Sequence, residues 1–242
     1  MTVPDWLGTL VAALPGVRAE QLSRFLPPEQ GPHRHAAVLV LFGAGPAGPD
    51  LLLIERAATM RSHAGQPAFP GGAVDPGDDG PVAAALREAQ EEVGLDPSTV
   101  EVLGTLPDLW LPPSGFVVTP VVAWWRDAHP VCAVDPAEVA TVDRVPLARL
   151  TDPEHRLRVQ HPSGWVGPAF DTGDMLVWGF TAGILDRLLA FGGWERPWDH
   201  SRARELDPEV VALARASSPA FDRTDDPAST PGASPPLRSP AP

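Results

Sequence analysis

A chain of 242 residues with 43% apolar content can bury one sizeable core with extensions, or two small ones. Its formal charge of −13 repels phosphate backbones, so a nucleic-acid polymer is disfavoured as a partner. Without lysine, neither a lysine-bearing phosphate loop nor Schiff-base chemistry is available. A small anionic substrate stays open, provided that arginines and a metal act locally. The single cysteine, Cys132, excludes an internal disulfide and points to a reducing, cytoplasmic setting. Nothing in Pro130-Val131-Cys132-Ala133 arranges a base for it, so it reads as a buried spectator.

Residues 4–26 predict one or two short helices carrying Trp6, Leu7, Leu10, Val11 and Leu14, then Leu22 and Phe25, ending at Pro27-Pro28. They would pack on the domain or on a partner subunit, which leaves a homodimer open. No basic segment with a following apolar run marks a secretory signal. The most apolar segment, 175–191, is broken by Asp186 and Arg187, so no membrane span is expected. Ala36 to Phe42 predicts a buried strand closed by Gly43, and Asp50 to Arg56 a second one. Val100 to Leu106, Phe116 to Trp125 and Val139 to Val145 predict further strands, and Asp174 to Phe191 a late helix. Between them, residues 108–115 suggest a loop carrying an exposed Trp110, to line a pocket or simply to pack. His161 has no partner at ligand spacing and reads as structural. The order strands, helix, strands, helix suits a mixed sheet sandwiched by helices. The division expected is a helical extension over 1–30, a main domain over 31–192 and a C-terminal extension over 193–242. From about residue 216 that extension is rich in Pro, Ser, Ala and Asp and should be disordered.

The most informative stretch lies between these strands. Phe69-Pro70-Gly71-Gly72 opens a glycine loop that feeds a helix ending at Val93. Asp79 or Gly80 can cap that helix, Pro81 suits its first turn, and Gly94 can stop it. Val82, Ala85, Leu86, Ala89 and Val93 fall on one side and would face a core. Glu88, Glu91 and Glu92 project from the other side at i, i+3 and i+4. Like charges repel at this spacing, and the helix C-terminus prefers cations by ~0.3–1 kcal/mol each. A solvated acidic face is the bland alternative. The adverse helix end, the glycine loop and the adjacent Arg87 favour a face that receives a hard divalent cation.

These residues resemble the signature of Nudix hydrolases, Gly-x5-Glu-x7-Arg-Glu-(apolar)-x-Glu-Glu-x-Gly-(apolar). Arg87-Glu88-Ala89-Gln90-Glu91-Glu92-Val93-Gly94-Leu95 fits its second half at every fixed position. The first half departs: Gly72 to Arg87 is one residue longer, and the first acid is Asp78 or Asp79 instead of Glu. The run from Leu52 to Gly72, with Arg56, Arg61, Gly65 and Phe69-Pro70-Gly71-Gly72, is similar to the additional motif of the coenzyme A diphosphatase branch. Ile54 stands where that motif has Thr.

The resemblance implies an α/β fold, an α-β-α sandwich around a mixed, curved sheet. It implies hydrolysis of the diphosphate bond of coenzyme A or acyl-coenzyme A to 3′,5′-ADP and (acyl-)4′-phosphopantetheine. Mg²⁺ or Mn²⁺ would be held by Glu88, Glu91 and Glu92 with the Gly71 carbonyl, and Arg87 would orient a glutamate. Glu138, in a loop before Val145-Pro146-Leu147, or Glu91 would take the proton of the attacking water. For Arg56, Arg61 and His63 two readings stay open, phosphate recognition or structural ion pairing. Glu138 is likewise either functional or an exposed loop acid. Another diphosphate substrate (ADP-ribose, NADH, a dinucleotide, a nucleoside triphosphate) would use the same box. A non-catalytic ligand-binding module is the rival from another class.

Overall fold

The computed structural model describes residues 3–28, 33–60, 63–112 and 114–216. The disorder expected from about residue 216 therefore lies outside the described residues. Short N-terminal helices α1 (Gly8–Ala13) and α2 (Ala19–Leu22) precede the first strands. Strand β1 (Arg34–Gly45) passes through Gly43 and turns at Pro46-Ala47 into β2 (Gly48–Arg56), with Gly45 opposite Gly48. Strands β3 (Pro67–Ala68) and β4 (Gly71–Ala73) lead to helix α3 (Gly80–Val93). Then come β5 (Val100–Thr105), β6 (Leu109–Leu111), β7 (Phe116–Trp125) and β8 (Val139–Pro146). These eight strands form one sheet along β3-β2-β1-β7-β5, with β4 on β1, β6 on β7 and β8 on β2. Only the β1–β7 pairing is parallel, so the sheet is mixed.

Period-2 alternation divides the central strands between two cores. Leu39, Leu41, Leu52, Ile54, Val121 and Trp125 face α3, which presents Ala84, Ala85, Ala89 and Val93. Val82 and Leu86, expected in that stripe, are only partly buried at its edge, and Ala84 takes the central place. Val40, Phe42, Leu51, Leu53, Val122 and Trp124 face the other way. There they meet Leu7, Leu10 and Leu14 from the N-terminal segment and Leu185, Leu188 and Leu189 from the late helix. The result is an α-β-α sandwich in which the N-terminal helices pack on their own domain. Irregularities in register at Glu55/Arg56 and Val102/Gly104 bend the sheet, as bulges do. Residues 109–111 are a strand of a hairpin and not a loop, and Trp110 sits half-buried, edge-on to His33 at 5.5 Å.

After α4 (Leu147–Leu150) a second sheet forms from β9 (Arg156–Gln160), β10 (Val166–Asp171), β11 (Leu176–Val177) and β12 (Ala203–Glu205), in the order β11-β10-β9-β12. Helix α5 (Gly179–Phe191) starts later than the sequence suggests, because residues 176–177 pair with β10. Packing also continues past residue 192. The buried Arg156 is ion-paired with Asp186 of α5, lies 3.7 Å from Glu195, and stands over the Phe170 and Trp198 rings at 5.1 and 4.8 Å. A buried guanidinium needs such partners, so it fastens residues 195–198 to the domain. Helix α6 (Pro208–Ala216) then closes a small core of Val159, Ala169, Trp178, Leu206 and Val211.

Candidate active site

The glycine loop is shaped by two close approaches. Strand β4 runs antiparallel to β1, with Gly71 opposite Val38 and Gly72 opposite Ala37. Gly71 has φ +153°, and a side chain there would run into the Ala37 carbonyl and the Val38 backbone. At Gly72 a Cβ would land on the Glu88 carboxylate. Glycine at both positions thus lets the loop press on the sheet and lets Glu88 lie across it. The loop closes with the Asp75 N–H donating to Asp78 Oδ2 at 2.8 Å. Asp79 takes the cap position of α3 but makes no side-chain capping bond, Pro81 lies in the first turn, and Gly94 ends the helix at φ +70°.

Arg87 is the hub of the loop. Its Nε and Nη2 donate to the two oxygens of Asp78, both at 3.0 Å. Nη2 also donates to the Ala73 carbonyl at 3.0 Å, and Nη1 to Glu88 at 3.0 Å and Glu91 at 2.9 Å. Asp78 is therefore the loop acid that matters. The guanidinium hydrogen-bonded to Asp78 holds its carboxyl below the usual range, while Arg87 itself is held protonated. The extra residue in the loop had hidden this pairing in the sequence, since spacing alone left Asp78 and Asp79 equivalent. A lysine offers a point charge in place of the planar fork. Arg87→Lys is expected to lower kcat/KM by about 10–100-fold with an unchanged circular dichroism spectrum, as loss of a ligand-orienting group does.

The three glutamates do not share one environment. Glu92 is buried, accepting the Gly71 N–H at 3.0 Å and Arg56 Nη1 at 3.2 Å. Burial pushes its pKa up to about 7, a rise opposed by Gly71 and Arg56 and reinforced by Glu88 and Glu138. Glu88 is also raised, first by burial. Glu91 points outward on its i, i+4 pair with Arg87, its side chain 58% exposed. Among the described residues, no three acidic or imidazole groups are gathered closely enough to hold a metal as they stand. Arg87 Nη1 takes one oxygen each of Glu88 and Glu91, and Arg56 takes one of Glu92, so the carboxylates are shared between two guanidinium groups, which a helical wheel does not register. By donor type the set still fits a hard divalent cation: only oxygens, two of the carboxylates desolvated at a cost that a cation would relieve. What the structure shows of Gly71 is its N–H engaged by Glu92, beside the carbonyl implied as a ligand.

Arg56 reaches this helix from the bulge where β2 meets β8. Its Nε is buried and meets no acceptor among the described residues. Arg61 lies outside the described residues. His63 adopts φ +56°, approaches Gln66 through Nδ1 at 3.2 Å, and has its pKa lowered by burial with the Arg56 charge adding to it. Glu138 is exposed and close enough to raise the pKa of Glu92. Its loop is tied to the chain after Arg56, since Ala57 N–H donates to the Glu138 carbonyl at 2.8 Å and Thr59 Oγ1 to the Ala137 carbonyl at 2.9 Å. Arg56, His63, Glu88, Glu91, Glu92 and Glu138 thus belong to one side of the fold. His161 is buried elsewhere, its Nδ1 2.8 Å from Ser163. Cys132, expected to be buried, is exposed in the segment that follows Pro130. Two concavities of about 330 and 390 Å³ lie away from this site, beside His129 and Arg144 and beside Thr151 and Trp194.

The glycine loop, Arg87 and the three glutamates all fall within the segment that this chain shares with known proteins. The NUDIX domain model matches residues 31–163, and the chain belongs to the Nudix hydrolases, which act on pyrophosphate bonds. The uncharacterized Nudix hydrolase NudL of Citrobacter koseri is 40% identical over 200 residues, covering 78% of this chain and 93% of that protein. NudL of Cronobacter sakazakii is 46% identical over 177 residues, covering 68% and 85%. Among solved structures, the Nudix hydrolase RenU of M. smegmatis aligns with TM-score 0.49 at 21% identity, over 73% of this chain and 98% of that one. No helix among the described residues is long and apolar enough to cross a membrane.

Proposed function

We propose that this Nudix hydrolase cleaves the diphosphate bond of coenzyme A or acyl-coenzyme A, giving 3′,5′-ADP and (acyl-)4′-phosphopantetheine, in the cytoplasm. One observation carries the reading. The Arg56–Glu92 contact at 3.2 Å joins the run from Leu52 to Gly72, which resembles the coenzyme A motif, to the acidic helix. That contact supports reading the two motifs as parts of one site.

Bound Mg²⁺ or Mn²⁺ neutralises diphosphate oxygens and lowers the pKa of a water. Glu88, Glu91 and Glu92 are the residues to hold it, with the Gly71 carbonyl. Arg87 fixes Glu88 and the glycine loop through Asp78 and Ala73. Proton acceptance falls to Glu91 or Glu138, whose carboxylates are exposed, whereas both oxygens of Glu92 are engaged by donors. The Nε of Arg56, without an acceptor among the described residues, is a donor that a phosphate oxygen would satisfy. His63, and Arg61 two positions before it in the sequence, would complete recognition of the anion.

The test is mass-spectrometric product analysis after incubation with coenzyme A, an acyl-coenzyme A, ADP-ribose, NADH, a dinucleotide and a nucleoside triphosphate, each with Mg²⁺ or Mn²⁺. The expected result is release of 3′,5′-ADP from coenzyme A with kcat/KM at least about tenfold above the others, a difference of about 1.4 kcal/mol in transition-state binding. Preference for ADP-ribose or NADH overturns the substrate. Binding without turnover of any compound overturns the catalytic reading.

A further inference from the structure

We infer that the C-terminal helix α6 is a working wall of the substrate site, with Leu213 as a positioning residue that sets the His63–Gln66 turn. The turn carries two residues in left-handed backbone, His63 at φ +56° and Gly65 at φ +64°. That conformation is uncommon outside glycine, and histidine is among the residues that enter it most readily. Inside the turn, Gln66 N–H donates to the His63 carbonyl at 3.1 Å. The turn is clipped to both backbone groups of Arg56: Gly65 N–H donates to its carbonyl at 3.0 Å, and its own N–H donates to Gln66 at 3.0 Å. The Arg56 guanidinium in turn holds Glu92. Any displacement of the turn therefore reaches the acidic helix through a single residue.

What braces the turn from outside comes from helix α6. A Cβ built on Gly65 would lie 3.2 Å from Leu213 Cδ1, so the leucine rests against the glycine. Leu213 is fixed by its helix, whose Val211 is buried with Trp178, Val159, Ala169 and Leu206. Trp178 leads directly into α5, where the buried Thr181 hydroxyl donates to the Pro67 carbonyl at 2.9 Å. One small core thus grips residues 65 and 67 at two points. Every gripping residue lies beyond position 163, where the match to the family model ends. The identity of the substrate rests on the function proposed above; the bracing does not.

Two readouts separate the claims. Leu213→Ala in the full chain is expected to speed amide hydrogen exchange across residues 63–68 by about tenfold, a local loss of protection. It should also raise KM about fivefold for whichever substrate the panel identifies, with kcat within about twofold. Leu213→Met should restore both values, and Ala212→Ser on the exposed side of the helix should change neither. If Leu213→Ala loses its fold by circular dichroism, Leu213→Val, one methylene shorter, carries the same pair of measurements. Wild-type exchange and wild-type KM in the folded variant overturn the bracing. Failure of the wild type to turn over coenzyme A overturns the substrate alone, because the exchange measurement needs no substrate.

Discussion

Glu92→Gln is expected to lower Mg²⁺-dependent kcat/KM by about 10³-fold or more and to leave the far-UV circular dichroism spectrum unchanged. The magnitude follows from charge: a metal contributes several kcal/mol of transition-state stabilisation, and each 1.36 kcal/mol is tenfold in rate. Loss of one anionic ligand forfeits much of that. The structure also says why the fold survives. Glutamine keeps the length that places an oxygen toward Gly71 N–H or Arg56, which approach the native carboxylate at 3.0 and 3.2 Å. Its amide nitrogen must then face the other donor, at a cost of about 1–3 kcal/mol for the unsatisfied group. Removing a desolvated negative charge works in the opposite direction, since burial, the largest cause, pushes Glu92 upward. The two effects nearly offset, so turnover and stability part company. Wild-type turnover in a folded Glu92→Gln protein would show that this position holds no metal.

The sandwich and its acidic helix were legible because they depend on local pattern. Alternation in 36–42 and 116–125, the apolar stripe of α3 and the stop at Gly94 are written in consecutive residues. The second sheet was not legible. Arg156 opens β9 and Arg158 lies within it, breaking the apolar pattern, and the partner that allows Arg156 to be buried, Asp186, is thirty positions away on α5. Asp186 looked like a polar break in an apolar run; in the fold it is the counter-charge that makes the run a core helix. The site divides in the same way. Spacing located Arg87, Glu88, Glu91 and Glu92, yet not that Glu92 turns inward to Gly71 while Glu91 stays in solvent. A wheel fixes where a side chain starts, not which donor waits for it. The contact of Leu213 with Gly65 spans nearly the whole domain and left no trace at short range.

Thermal stability should carry the signature of Glu92 even without substrate. Its carboxyl titrates near 4.5 when unfolded and near 7 in the fold, so the folded state binds the extra proton between these values. Stability from this group is therefore present at low pH and falls as pH rises through that window, becoming constant above about 7. A shift of this size corresponds to about 3 kcal/mol. His63 acts with the opposite sign: its pKa is lowered by burial, so its contribution falls as pH drops below 6.5. Comparing wild type with Glu92→Gln cancels the histidine. In EDTA, the Tm of the variant minus that of the wild type is expected to grow by about 6–12 °C between about pH 5 and pH 8. Adding Mg²⁺ at the higher pH should close that gap by raising the wild type alone, because the ion takes over the proton's role of neutralising a buried carboxylate. A gap that ignores both pH and Mg²⁺ would mean that Arg56 and Gly71 already satisfy Glu92, and that no cation is drawn to it.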